Sequence, residues 1–117
     1  MTTFETLVLI TSAPYQQRRS EEILEAVMSL ALFDREHAVV FWHDGLAWLA
    51  PEQNPNEGKS LQRQLDALPL YGSDALFYCR EHQASVLGEQ TPPDSVQPMA
   101  LNDLAQLLRQ ARYVEVF

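Results

Sequence analysis

At 117 residues the chain is expected to fold as one domain, residues 1–117, around a single core; 46% hydrophobic and 21% charged residues are the content of a globular protein. A formal net charge of -8 disfavours contact with a phosphate backbone, so direct nucleic-acid binding is not expected. No apolar run approaches bilayer-spanning length, the start Met1-Thr2-Thr3-Phe4-Glu5 lacks the basic region of a signal peptide, and the lone Cys79 has no intrachain disulfide partner, which together point to the cytoplasm.

Leu7-Val8-Leu9-Ile10 is a short, continuous apolar run of strand formers and reads as a buried first strand. After the loop Thr11-Ser12-Ala13-Pro14-Tyr15, Ser20 reads as a helix N-cap, with Glu21 and Glu22 facing the positive end of the helix dipole. Ile23, Leu24, Val27, Met28, Leu30 and Ala31 follow at helical spacing, and the helix should end near Phe33-Asp34. Ala38-Val39-Val40-Phe41-Trp42 is a second buried strand, closed by Asp44-Gly45. Residues 46–50 form one helical turn stopped by Pro51, and residues 51–58 a polar loop. Residues 60–68 form a second helix with Leu61, Leu65 and Leu68 on one face. Ala75-Leu76-Phe77-Tyr78 is the third strand, and residues 80–87 a short helix ended by Gly88. Thr91-Pro92-Pro93 opens a loop; residues 101–111 form the last helix and residues 113–117 the last strand.

Strands alternating with helices predict an α/β fold, a mostly parallel sheet with helices on both faces. Sites in such sheets lie beyond the carboxyl ends of the strands, here residues 11–15, 43–45 and 79–82. The first of these loops has no glycine, so neither a dinucleotide fingerprint nor a P-loop is present. No Cys-x-x-Cys or His-Glu-x-x-His pattern offers a metal site, and no Gly-x-Ser-x-Gly context activates a serine. Cys79 is the candidate persulfide site: a thiol at a strand end and helix start, beside Arg80 and near His82, should have its thiolate favoured. The other reading is a free cysteine packed in the core. His43-Asp44 is either a proton relay or simply the turn that ends a strand. His37 is expected in a loop. Trp42, Leu46, Trp48 and Leu49 crowd one short turn and are the candidate partner interface, with ordinary core as the alternative.

In order and spacing these segments resemble the TusC/DsrF-type members of the DsrE/DsrF-like family. Ser12-Ala13-Pro14-Tyr15 is similar to the Thr/Ser-Ala-Pro loop of that group, and residues 20–33 to its first helix. Val39 to Gly45 followed by Trp48-Leu49 resembles its strand, Asp-Gly and apolar segment; Pro51-Glu52-Gln53-Asn54-Pro55 resembles its Pro-Gly-Gln-x-Pro loop. Leu68-Pro69-Leu70-Tyr71 resembles the Leu-x-Leu-Tyr that precedes the strand ending at Cys79, and residues 113–117 the closing strand. The resemblance implies a flavodoxin-like DsrE-type fold and a heterohexamer with TusB- and TusD-like (DsrH- and DsrE-like) chains. Such a complex passes persulfide sulfur towards tRNA wobble-uridine 2-thiolation or serves sulfur oxidation, without a cofactor or metal. The obligatory persulfide cysteine of the family belongs to the TusD-type chain. Arg80-Glu81-His82-Gln83 departs from the small, Ala-rich run that follows the active cysteine there. The chain is therefore expected to be a non-catalytic partner subunit; the alternatives are a persulfide carrier acting through Cys79 and a stand-alone homo-oligomeric module.

Overall fold

Continuous apolar strands need cover on both faces, and the chain supplies it with helices placed on either side of one parallel sheet. The computed structural model describes residues 4–11, 19–32, 36–49, 67–73 and 75–117. Its five strands are β1 (Thr6–Ile10), β2 (His37–Phe41), β3 (Leu76–Cys79), β4 (Gln97–Met99) and β5 (Tyr113–Val116), in the order β4-β3-β2-β1-β5. All four pairings are parallel, with Val8 beside Val39, Val40 beside Phe77, Cys79 beside Met99 and Leu7 beside Val114. The chain steps outward from β1 to β4, then returns across the sheet to lay β5 on the open side of β1. Hydrogen bonds tighten that last pairing: Phe117 N–H donates to the Leu9 carbonyl at 2.9 Å, and Thr11 N–H and the Thr11 hydroxyl Oγ1 both donate to the Phe117 carbonyl at 2.8 Å.

Alternation of side chains along the strands divides the core in two. One face carries Val8, Ile10, Val39 and Phe41 and is covered by helix α1 (Arg19–Leu32) through Ile23, Leu24 and Val27. A 3-10 helix spanning His43–Leu49 packs into the same layer. The other face carries Leu7, Ala38, Val40 and Cys79, covered by the terminal helix through Leu104 and Leu107. A short helix α2 (Gln83–Val86) follows β3, so the terminal helix Leu101–Gln110 is α3. Among the described residues no helix is long and apolar enough to cross a membrane.

The expected α/β sheet is the one that forms, with differences of detail. Gln97-Pro98-Met99, expected as part of a loop, is an edge strand; a proline is tolerated there because one edge has no ladder partner to serve. His37 is not in a loop. It is the first, buried residue of β2, and its Nε2 lies 2.9 Å from Oγ of buried Ser73, so each shelters a polar group of the other. The turn expected at residues 46–50 begins earlier, at His43, so Asp44 and Gly45 lie within it. Helix α1 is described from Arg19, one residue ahead of the expected cap. Most of the expected helix at residues 60–68 lies outside the described residues, which resume at Ala67 and enter a 3-10 turn, Leu68–Tyr71.

Candidate functional site at the carboxyl ends of β2 and β3

The ends of β2 and β3 bring together Trp42, His43, Asp44, Cys79, Glu81 and His82. The first expected site loop contributes only Thr11, since residues 12–18 lie outside the described residues. His43 turns the chain sharply out of β2 with a φ of 56°, a left-handed conformation rarely taken by residues other than glycine, asparagine, aspartate and histidine. Its backbone N–H, freed from the ladder, donates to Nδ1 of His82 at 2.9 Å. A ring nitrogen that accepts leaves the other, Nε2, to carry the proton of the neutral ring. Trp42 meets the same ring edge-on, centroids 5.1 Å apart, and the His43 ring lies 5.1 Å away on another side. Nδ1 of His43 reaches Oδ1 of Asp44 at 3.3 Å, both side chains largely in solvent. His82 is thus held by neighbours from the end of β2, and it is directed towards them.

Cys79 is set differently. It closes β3 on the α3 side of the sheet and is 0% exposed. Burial pushes its pKa up, because a thiolate there would lose its hydration; the nearby backbone N–H groups of Glu81 and His82 pull it down, and the Glu81 carboxylate, the weakest influence, pushes it up. Burial is the largest of these effects. The expectation of a favoured thiolate is therefore corrected: strand end and helix start are where they were placed, but the sulfur faces packed side chains, and burial outweighs the two N–H groups that favour ionisation. The sign carries into pH dependence. A folded-state pKa above the unfolded one gives stability that is complete below the ordinary thiol range and falls as pH rises through it. We expect an alkylating reagent at neutral pH to modify Cys79 at least about tenfold more slowly in the native chain than in urea. Equal rates in the two states, followed by mass spectrometry, would mean an open thiol.

The expected partner interface is also corrected in part. Leu46, Trp48 and Leu49 are each 0% exposed within the isolated chain, packed with Phe41 and α1 rather than offered outward. Trp48 meets the Phe41 ring at 6.5 Å. Of the four residues only Trp42 keeps partial exposure, next to His82. Exposed apolar side chains lie elsewhere, on edge strand β5 at Tyr113, Val114 and Val116 and at Leu32 and Leu70. Sequence reasoning passed over Glu81. It accepts from the backbone N–H of Leu101 through both carboxylate oxygens, at 3.1 and 3.0 Å, and so caps α3 from the end of the neighbouring strand. The lack of any capping side chain at Ala100 was the one available signal. Among the described residues no three histidine, cysteine or carboxylate side chains converge as a metal site.

The model of the DsrE/DsrF-like family matches residues 5–116. A Pseudomonas aeruginosa protein named "Protein TusC homolog" is 31% identical over 106 residues, covering 86% of this chain and 89% of that one. The crystal structure of the ychN protein from E. coli superposes with a TM-score of 0.80 over the whole of both chains at 20% identity, a likeness of fold.

Proposed function

This chain belongs to the DsrE/DsrF-like family, and we propose that it is the non-catalytic, TusC-type subunit of a cytoplasmic sulfur-relay complex. Its partners would be TusB- and TusD-like chains in a heterohexamer, passing persulfide sulfur towards tRNA wobble-uridine 2-thiolation or, in a related system, sulfur oxidation. The observation that carries the non-catalytic part is the burial of Cys79 with a raised pKa, the wrong state for a nucleophile that must attack a persulfide. Likeness to a protein named as a TusC homolog, over most of both chains, supports the choice of subunit.

Co-expression of the tagged chain with TusB- and TusD-like chains of the same cell tests the reading. The three should co-purify in equal amounts, and Cys79→Ser should leave both assembly and 2-thiouridine content unchanged. A second reading, that Cys79 itself carries sulfur, draws on the two nearby backbone N–H groups, of Glu81 and His82, which favour its thiolate. Loss of 2-thiouridine in the Cys79→Ser strain, with the complex intact, would establish that reading. Recovery of the chain only as a homo-oligomer would instead favour a stand-alone module.

A further inference from the structure

We propose that Glu81 is a strap that holds Cys79 closed, its carboxylate tying the end of β3 to the start of α3 across the thiol. Cys79 and Met99 are register partners at the carboxyl ends of neighbouring strands. Glu81 and Leu101 each lie two residues beyond their strand's last residue, and the Glu81 carboxylate spans them, taking the Leu101 N–H at 3.1 and 3.0 Å. The contact closes a ring that runs from Cys79 through Glu81 to Leu101 and back through Met99. Inside it Cys79 is 0% exposed and shares its cluster with Leu104, one turn into α3. A helix needs an acceptor at its first N–H groups, and a serine or aspartate at position 100 would serve locally. Ala100 cannot, so the acceptor comes from the strand that carries the thiol. The helix start and the cover of Cys79 are thereby made one contact, strengthened by carboxylate charge at the positive end of the helix dipole.

The same carboxylate acts on the sulfur chemically. Its charge disfavours a thiolate, while the backbone N–H groups of Glu81 and His82 favour one. Releasing the strap withdraws the charge and admits a reagent, and the two donors belong to the backbone and do not depend on that carboxylate. This inference concerns access to Cys79 and stands whether or not the chain works in a sulfur relay.

Reaction of the full chain with an aryl disulfide tests it. The Cys79 thiolate attacks the S–S bond, forms a mixed disulfide and releases one aryl thiolate, whose absorbance gives the rate. Glu81→Ala should react about tenfold faster than the parent at neutral pH, the scale set by one charge-assisted cap in an opening equilibrium. Glu89→Ala, removing an exposed carboxylate beyond α2, should react at the parent rate. The parent rate in Glu81→Ala, or an acceleration no larger than its loss of global stability in urea, would overturn the proposal. Should Glu81→Ala fail to fold, Glu81→Gln decides. Exchange of the Leu101 amide and reaction of Cys79 should quicken together there, and a faster amide with an unchanged thiol would overturn it.

Discussion

Gly45→Ala is expected to cost about 4 kcal/mol or more, enough to unfold a domain of ordinary stability. A Cβ at this position would lie 1.9 Å from the Ile10 carbonyl oxygen and 2.7 Å from its carbon. Both are backbone atoms, so no side chain can swing aside. Nor can the backbone yield easily. The Ile10 carbonyl accepts the Trp42 N–H at 2.9 Å, and the Trp42 carbonyl accepts the Gly45 N–H at 3.0 Å. One methyl group would therefore push apart the ends of β1 and β2 and lift the 3-10 helix that carries Leu46, Trp48 and Leu49 into the core. Urea unfolding followed by circular dichroism measures the effect. A midpoint within about 1 kcal/mol of the parent would show that the turn can slide outward at little cost.

The second large effect is expected at Trp48. Truncating a fully buried tryptophan to alanine removes its transfer free energy and leaves a cavity, together about 3–5 kcal/mol. Trp48 fills the space between α1 and Phe41, and the cavity would open in the middle of the larger core cluster. Trp42→Ala should cost much less, because its ring is partly in solvent and rests against His82. The two tryptophans also separate optically. Acrylamide should quench Trp42 emission in the native chain and leave Trp48 emission nearly untouched, as read in the two single-tryptophan variants Trp42→Phe and Trp48→Phe. Equal quenching would place Trp48 at the surface and restore it as a partner contact.

What could be read in advance follows from which forces act locally. Strands β1 to β3 are legible because a strand buried on both faces must be apolar at every position, and Leu7 to Ile10 and Ala38 to Phe41 are. The Asp44-Gly45 turn and the place of Cys79 at a strand end are legible for a similar reason, each being a break in such a run. Strand β4 is not, since Gln97 and Pro98 are exposed and take their strand conformation from β3 rather than from their own preference. The crowding of Trp48 and the leucines is visible in the sequence, but whether it faces inward depends on where α1 lands. The pairing of His37 with Ser73 joins residues 36 positions apart, and nothing near either residue announces it. The strand end at Cys79 is legible but the surroundings of its sulfur are not, because proximity in sequence to Arg80 and His82 does not say where those side chains go. His82 goes to His43 and Trp42.

The docking of β5 against β1 has a consequence for how the chain is made. Thr11 and Phe117 are bonded although they stand 106 positions apart, so the pairing is among the most distant in sequence that the chain allows. A ribosome delivers residues from the N-terminal end, and β1, β2 and β3 can associate as each emerges. One edge of β1 nevertheless has to wait, its backbone donors and acceptors unserved, until the residues of β5 are free of the exit tunnel. Closing so long a loop slows the final step, and an open strand edge is where newly made chains aggregate. The interval between the emergence of β3 and that of β5 is accordingly when a nascent chain of this protein most needs a chaperone's protection.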